Sequence, residues 1–264
     1  MLAAALVRLG RAVAHPVWND PGVDWDAYRC VVIRSTWDYW HVRPAYLRWV
    51  NRVARATALW NRPETVRWNT DKRYLRELER AGIAIVPTVW SPRGRPLDLA
   101  STMDEHGWTT AVVKPAVSAA GDRTFRVERP DAARAQRQLD RLARTGVGIV
   151  QPYVPSAAEG GERSLIFLDG RFSHCVQRIP LFDRAAPAPP ETLVRATGGM
   201  RRLAEAALAE CPGDLLYARV DLIDGGVGGW QVLEMELTEP SLFFVPYPRG
   251  AATLAKAIVR RIGR

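Results

Sequence analysis

The chain has 264 residues, of which 47% are apolar and 25% are charged, a globular composition that excludes disorder and collagen. A chain of this length buries about 70 to 75% of its unfolded surface on folding, so we expect two lobes. The net charge of +9 admits an anionic partner, nucleic acid included. No apolar run approaches the ~20 residues that cross a bilayer, so no spanning segment is expected.

The number of cysteines and the first residues of the chain both bear on where in the cell the protein is expected. Cys30, Cys175 and Cys211 are odd in number and widely spaced, which fits neither a disulfide framework nor a CxxC zinc site. Residues 1–14 resemble a signal peptide only faintly, because arginines interrupt the apolar run and no charge precedes it. We therefore interpret this segment as the first helix and expect a reducing, cytoplasmic location.

The amino-terminal residues predict a small parallel α/β layer. In chain order the patterns are a helix over 2–10, extended segments over 12–18 and 30–33, an arginine-rich helix over 43–56 and an extended piece over 58–61. Strands that alternate with helices predict a parallel sheet. A layer of this kind normally opens with a strand, whereas here the helix pattern comes first, so we expect an abbreviated domain.

A well-marked helix follows the layer. Asn69, Thr70 and Asp71 supply an N-cap, and Gly82 stands where a C′ glycine belongs. Lys72 would lie in the first turn, the unfavourable end of the helix dipole for a cation. The lysine is therefore either exposed to solvent or held by an anion, and the pattern leaves both interpretations open.

From residue 110 the pattern changes to hairpins, which predicts a second lobe built on antiparallel sheet. The predicted strands cover 110–115, 123–128, 147–154, 165–168 and 172–179, with two more around 225–229. The predicted helices cover 130–144, 197–210 and the residues from about 250 onward. A stretch rich in proline and alanine, 183–192, predicts a mobile loop.

The strongest chemical signal lies in the last predicted strand. Its period of two places Glu234 and Glu236 on one face and Leu233 with its apolar neighbours on the core side. A symmetric hairpin sets Asp221 opposite Glu234 and Arg219 opposite Glu236. Opposed like charges destabilise a sheet, so the facing carboxylates call for a cation between them. A hard ion such as Mg²⁺ fits, and a solvated acidic face is the alternative.

A second signal is Lys114, which ends a predicted strand just before a loop of small residues, 116–122. Small side chains let backbone N–H groups approach a phosphate, although a simple hairpin turn is the alternative. Neither GxxxxGK[ST] nor GxGxxG occurs, so neither a P-loop nor a dinucleotide fold is predicted. His174 and Cys175 are neighbours on a predicted strand and point to opposite faces, which argues against a catalytic pair.

Several short motifs follow one another in a specific order. They are RSTWDY at 34–39, WNTDK at 68–72, VKP at 113–115, QPYV at 151–154, GERS at 161–164, and Asp221 followed by LEME at 233–236. Together they resemble the ATP-grasp superfamily and, within it, the glutathione-synthetase-like subgroup near the D-cycloserine-forming ligases. The resemblance implies an α/β layer over 1–66 and an α+β ATP-grasp domain over 67–264. Two subdomains, 67–150 and 151–264, would enclose the nucleotide with antiparallel sheets.

The resemblance also implies ATP and Mg²⁺ as cofactors and gives site residues by position. Phosphate contacts would be Lys72 and Lys114, with the loop between Ser118 and Gly121 closing over them. The adenine and ribose contacts would be Gln151, Tyr153 and Val154, with Glu159 or Glu162. The magnesium ligands would be Asp221, Glu234 and Glu236, and the groups stabilising the transferred phosphoryl would be Arg178 and Arg195. The expected substrate contacts are Arg34, Asp38 and Glu239.

Members of this superfamily activate a carboxylate or a related acyl group as its phosphate, which an amine then displaces. We therefore expect a cytoplasmic, Mg²⁺-dependent, ADP-forming carbon–nitrogen ligase that acts on a small amino-acid-like substrate, with no membrane partner. A homodimer is compatible with the sequence.

Two other classes of function stay open. A basic nucleic-acid-binding protein would lose affinity steeply with salt. Its arginines, however, form no single stripe with interleaved aromatic residues, as a strand-binding groove needs. A degenerate ATP-grasp protein could bind nucleotide without catalysis, although all three predicted magnesium ligands are present.

Overall fold

The computed structural model describes residues 1–119, 121–179 and 191–263, apart from the side chains of Ala158 and Glu159. Its amino-terminal layer contains the helices α1 (Leu2–Arg8) and α2 (Arg43–Ala56) and the strands β1 (Cys30–Val32) and β2 (Ala58–Trp60). The two strands pair in parallel, which confirms the predicted layer. The extended segment predicted over 12–18 forms no strand.

The core of this layer is aromatic because α2 turns its large side chains toward the loops that surround it. Tyr46 of α2 is fully buried, and its ring centroid lies 5.2, 5.0 and 5.3 Å from those of Trp18, Tyr39 and Trp49. Rings at these separations add favourable contacts to the burial of apolar area. The layer is therefore held by side-chain packing more than by its short sheet.

Two short helices lead out of the layer, α3 (Pro63–Asn69) and α4 (Tyr74–Arg80). The predicted N-cap is wrong, because Asn69 ends α3 and its side-chain amide donates to the Met235 carbonyl at 2.8 Å. Lys72 consequently lies in the turn between α3 and α4. Gly82 has φ +78° and follows α4, which confirms the predicted C′ glycine.

The next part of the chain forms a four-stranded antiparallel sheet with two helices. Its elements are β3 (Val89–Ser91), α5 (Leu99–Glu105), β4 (Thr110–Pro115), β5 (Phe125–Glu128), α6 (Ala132–Thr145) and β6 (Gly148–Pro152). The strand order is β3-β6-β4-β5. Leu99, Met103 and Leu139 of the helices pack with Val113 and Val150 of the sheet. The sequence analysis missed α3, β3 and α5, all of which are short.

The carboxyl-terminal part contains a five-stranded antiparallel sheet in the order β11-β10-β7-β8-β9. Its elements are α7 (Ser156–Glu159), β7 (Glu162–Leu168), β8 (Arg171–Arg178), β9 (Thr192–Val194), α8 (Gly198–Ala209), β10 (Tyr217–Asp224), β11 (Trp230–Glu236) and α9 (Pro248–Ile262). Two antiparallel sheets after a parallel α/β layer confirm the predicted fold class. Most of the loop predicted over 183–192 lies outside the described residues.

Helices cover both faces of this larger sheet, because successive side chains of β7 point to opposite faces and both sets are apolar. Leu165 and Phe167 share a cluster with residues of α8, whereas Ile166 and Leu168 share one with residues of α9. Full burial of each such side chain is worth roughly 1.5 to 3 kcal/mol. The turn from β7 to β8 occurs at the predicted position and uses left-handed backbone at Asp169 and the following glycine.

None of the helices in the described part of the chain is long and apolar enough to cross a membrane.

Candidate functional site

A cavity of about 500 Å³ lies between the two antiparallel sheets. The smaller sheet contributes Lys114 of β4 and Gln151 of β6 to its wall, and the larger sheet contributes Arg178 of β8 and Glu234 of β11. Trp37 reaches it from the amino-terminal layer. The volume is that of a small-molecule site.

Two lysines bring positive charge to the wall, although they are only 5% (Lys72) and 7% (Lys114) exposed. The Lys72 ammonium lies 3.0 Å from Glu234 Oε1 and donates to the Ser118 carbonyl at 2.8 Å. The solvent-exposed interpretation of Lys72 is therefore wrong, and an anionic side chain holds it. Burial lowers the pKa of Lys114. The Glu234 carboxylate opposes this pKa shift, and the neighbouring Lys72 adds to it.

The small-residue loop after β4 borders the cavity beside these lysines. Ser118, Ala119 and Gly121 line the wall, and Gly121 has φ +72°, a conformation that glycine adopts without strain. The Ser118 hydroxyl donates to the Pro115 carbonyl at 3.2 Å, which holds the start of the loop. The loop thus places small side chains next to two buried cations.

The end of β6 forms another part of the wall. Gln151, Tyr153 and Val154 line the cavity, as the resemblance implies. The Gln151 amide, however, donates to Thr88 Oγ1 at 2.9 Å, and the Tyr153 N–H donates to the Thr110 carbonyl at 2.9 Å. The Gln151 amide and the Tyr153 N–H are therefore engaged within the chain.

An apolar surface lies beside this segment. Val86, Ala157 and Ile223 form a buried cluster against which Val154 and Leu233 pack, and all five residues line the cavity. A flat apolar ring fits such a surface because contact removes apolar area of the ring and of the wall from water.

Glu162 and Arg178 form a buried ion pair at the edge of the larger sheet. Glu162 Oε2 lies 2.6 Å from Arg178 Nη2. Burial raises the pKa of Glu162 to about 7, although the Arg178 charge opposes the shift. The side chain of Glu159, the alternative ribose contact, lies outside the described residues. Arg195 follows β9, is exposed and does not line the cavity, so the structure does not bring it together with Arg178.

The β10–β11 hairpin has the predicted register, with Asp221 opposite Glu234 and Arg219 opposite Glu236. The register shifts between Asp221 and Leu222, where Leu233 is the extra residue of a bulge. Leu233 consequently lines the cavity, so its predicted core position is wrong.

Arginine side chains surround Asp221, which is 1% exposed. Its carboxylate accepts hydrogen bonds from Arg219 Nε and Arg178 Nη2 at 3.0 Å and from the Ser164 hydroxyl at 2.6 Å. Burial alone would raise the pKa of Asp221, but the two guanidinium groups outweigh it and lower the pKa to about 2. Arg219 also pairs with Glu236.

The cations that the facing carboxylates require are thus side chains of the chain itself. Among the residues that the structure describes, no group of three acidic, histidine or cysteine side chains is arranged to hold a metal ion. Glu234 and Glu236 nevertheless keep 26% and 31% of their side-chain surface exposed at the cavity and fit a divalent cation. Asp221 would first have to release a guanidinium group.

The three expected substrate contacts differ in position. Glu239 lies on the wall, and burial together with Glu236 raises the pKa of its carboxyl. Arg34 and Asp38 do not line the cavity. Arg34 Nη2 donates to the Pro240 carbonyl at 2.8 Å, and Asp38 accepts from the Trp18 indole at 2.8 Å. Arg34 therefore supports the segment that follows Glu239, whereas the Asp38 bond lies within the amino-terminal layer.

The sequence analysis missed other residues of the wall. Arg219 was predicted only as the partner of Glu236, although its spacing of two from Asp221 already places both on one face of β10. Trp37, Ser241 and Phe243 also line the cavity. Trp37 belongs to the RSTWDY motif but was not assigned a role there, and no periodicity or motif identified Ser241 or Phe243, because they lie in an irregular segment.

Comparison with known proteins adds an independent finding. Residues 1–61 match the family described as D-cycloserine synthetase DcsG, N-terminal domain. Over 262 residues the chain is 32% identical to the cycloserine biosynthesis protein DcsG of Streptomyces lavendulae, across 93% of this chain and 87% of that protein. The crystal structure of D-cycloserine synthetase DcsG superimposes with a TM-score of 0.89 at 32% identity, covering 99% of this chain and 93% of that one.

More distant structures share the fold alone. The ATP-grasp ligase PsnB complexed with minimal precursor gives a TM-score of 0.69 at 15% identity, over 98% of this chain and 94% of that one. D-alanine–D-alanine ligase from Bacillus anthracis complexed with ATP gives 0.63 at 15% identity, over 89% and 79%.

Proposed function

Since the chain belongs to the DcsG family of ATP-grasp ligases, we propose that it uses ATP to activate a carboxylate or related acyl group of a small amino-acid-like substrate. The activated species is an acyl phosphate, from which an amine displaces phosphate. That the chain is an ATP-dependent ligase follows from the family. The substrate class and the acyl-phosphate route are the proposal.

One observation carries the assignment of the cavity to a phosphate-bearing ligand. In the described part of the chain, the Lys114 ammonium has neither an ion-pair partner nor a hydrogen-bond acceptor, yet it lies on the cavity wall and is 7% exposed. A buried charge without a partner is costly, so an anion supplied by a ligand is expected there. Lys72 adds a second cation to the wall. The loop at Gly121 has small side chains, so its backbone N–H groups can approach a phosphate.

ATP supplies the phosphoryl group, and Mg²⁺ held by Glu234 and Glu236 would neutralise charge on its phosphates, with Asp221 as the third predicted ligand. The apolar surface at Val154 would hold the base, and Glu162, which lines the cavity, would accept a hydrogen bond from a ribose hydroxyl. These residues position the ligand and contribute no covalent chemistry.

Two arginines of the larger sheet fit the charge that develops during transfer. Arg178 and Arg219 both line the cavity, and Asp221 orients both guanidinium groups. In the first step a substrate carboxylate oxygen bonds to the transferred phosphorus and ADP leaves. In the second step an amine nitrogen bonds to the acyl carbon, the bond to phosphate breaks and the nitrogen loses a proton. Preorganised donors stabilise such developing negative charge.

Replacing Lys114 by Ala tests the assignment, with Lys256→Ala as the matched control because Lys256 is exposed on α9. Titration calorimetry with Mg²⁺ and ADP should show that K114A binds the nucleotide about tenfold to a hundredfold more weakly, or not detectably. This is the loss of affinity expected when one charge-assisted hydrogen bond is removed. The control should bind as the wild type does. Unchanged ADP affinity in K114A would refute the nucleotide assignment.

Phosphate release by the wild type, measured with ATP, Mg²⁺ and a panel of free amino acids that includes D-alanine, tests the substrate class. Stimulation by one member of the panel supports the proposal. Release that no amino acid stimulates contradicts an amino-acid-like substrate.

A further inference from the structure

A strap, residues 238–242, connects β11 to the segment before α9 and borders the cavity. Each of its five carbonyl groups lies within hydrogen-bond distance of a side-chain N–H or O–H of another segment, and the single Tyr217 proton is shared among the carbonyls of Thr238, Ile33 and Trp60. In order from 238 to 242 the donors are the Tyr217 hydroxyl at 2.8 Å, the Trp37 indole at 3.4 Å, Arg34 Nη2 at 2.8 Å, Arg219 Nη1 at 3.5 Å and His174 Nε2 at 3.1 Å.

The donors come from three different parts of the fold. Arg34 and Trp37 belong to the amino-terminal layer, His174 to β8, and Tyr217 and Arg219 to β10. A connecting segment usually turns its carbonyl groups to water, so side-chain donors at every position fix the path of this one. The strap is therefore shaped by residues remote in sequence.

This shape determines what the cavity presents to a ligand. Glu239, Ser241 and Phe243 all line the wall. Phe243 has φ +49°, a left-handed conformation that a bulky residue adopts only under constraint. The Arg219 guanidinium carbon lies 5.6 Å from the Phe243 ring centroid, which supports the turn from one side.

Arg34 acts on the strap without lying on the cavity wall. Its guanidinium carbon lies 5.4 Å from the ring centroid of Tyr217, so the donors to the Thr238 and Pro240 carbonyls support each other. Arg34 Nη1 is buried and has no acceptor within residues 1–119, 121–179 and 191–263. Leaving this buried group unpaired costs free energy, which the bond from Nη2 to the Pro240 carbonyl offsets in part.

His174 holds the other end of the strap. Because the Leu242 carbonyl can only accept, Nε2 carries the proton, and Nδ1 is left to accept from the Ser173 hydroxyl at 3.0 Å. The imidazole ring stacks on Tyr247 with centroids 4.4 Å apart. His174 does not line the cavity either.

We propose that the strap is a substrate-positioning element, and that Arg34 and His174 are positioning residues that fix where Glu239 and Ser241 meet the amino-acid substrate. The inference rests on the proposed function and deepens it. Through Arg34, the amino-terminal layer contributes to substrate binding, although Arg34 itself does not contact the substrate. Nucleotide binding, which uses the lysine side of the cavity, does not depend on the strap.

Matched substitutions separate this role from general stability. Arg34→Met and His174→Leu remove the two donors, whereas His174→Gln keeps an N–H at the position of Nε2. The controls are Arg29→Met and His106→Leu. Arg29 donates to the Ile262 carbonyl at 3.5 Å, and the His106 ring bonds the carbonyl one turn before it at 3.0 Å, both away from the cavity.

For the amino acid that stimulates the wild type most, phosphate release should give a KM raised about tenfold in R34M and H174L, the effect of one lost hydrogen bond. The affinity for ADP with Mg²⁺ should stay within about twofold, and H174Q should recover most of the wild-type KM. Equal KM values in all variants of an active wild type would overturn the strap inference alone. A wild type that no amino acid stimulates would refute the proposed function instead.

Hydrogen–deuterium exchange of the peptide that spans the strap gives a readout without turnover. In the ADP-bound protein, exchange at the buried positions Thr238 and Leu242 should be faster in R34M and H174L than in the two controls. Equal exchange would overturn the inference, and so would faster exchange with an unchanged KM, because the strap would then not position the substrate.

Discussion

Replacing Asp221 by Asn tests whether this carboxylate is first of all the partner of two arginines. Arg219, Arg178 and the Ser164 hydroxyl all donate hydrogen bonds to it. Its pKa falls from an ordinary 3.8 to about 2, which corresponds to a few kcal/mol, on the order of 2 to 3, in favour of the folded state with the carboxylate ionised. We therefore expect D221N to lose about 2 to 3 kcal/mol of unfolding free energy at pH 7.

Thermal unfolding followed by circular dichroism, with EDTA present, measures this loss. At about 2 to 4 °C per kcal/mol for a chain of this size, the midpoint should fall by roughly 5 to 10 °C. Asp224→Asn is the matched control, because Asp224 lies at the exposed end of the same strand and, among the described residues, its carboxylate accepts only from the nearby Gly226 N–H. A surface change of this kind is expected within about 0.5 kcal/mol.

The sign of the result decides between two roles for Asp221. If its main role were to complete a metal site, the metal-free protein would contain opposed carboxylates, and removing one charge would raise the midpoint. An unchanged or raised midpoint in D221N would therefore refute the reasoning. The contribution of Asp221 is present above pH 3.8 and is lost as the pH falls toward 2, so the difference from the wild type should vanish in that window.

Three further predictions use the same assays. Glu234→Gln should cut turnover by about a hundredfold while nucleotide binding weakens much less, and full activity would count against Glu234 as a magnesium ligand. Burial lowers the pKa of His174 from 6.5 to about 4, so its stabilisation is complete above pH 6.5 and is lost toward pH 4. His174→Gln should therefore show a smaller drop in midpoint between pH 7 and 4.5 than the wild type, and equal drops would contradict this. Asp98 caps α5 by accepting from the Ser101 N–H at 2.6 Å, so Asp98→Ala should cost about 1 kcal/mol and a few degrees. Asp131→Ala should cost less, since Asp131 makes no such bond at α6, and similar losses would contradict the cap.

The sequence predicted well those features that depend on neighbouring residues. The helices α2, α8 and α9 and the β7–β8 hairpin follow from local periodicity and turn residues, and the structure confirms them. The pairing of Asp221 with Glu234 follows from a period of two on each side of a glycine-rich turn. The ordered motifs identified the superfamily, and the similarity to DcsG confirms that identification.

By itself, then, the sequence determined the order of elements and the fold class, because each depends on patterns within a few residues, and the resemblance to the ATP-grasp superfamily added about half of the residues that line the cavity. Only the tertiary structure decided which charges meet: Lys72 pairs with Glu234, 162 positions further along, and Asp221 is held by Arg178 of another strand. It also showed that Arg34, predicted as a substrate contact, bonds the strap at Pro240, 206 residues further along the chain. Such partners are chosen by how the layers pack, and no local pattern of hydrophobicity or charge specifies the distance between segments so remote.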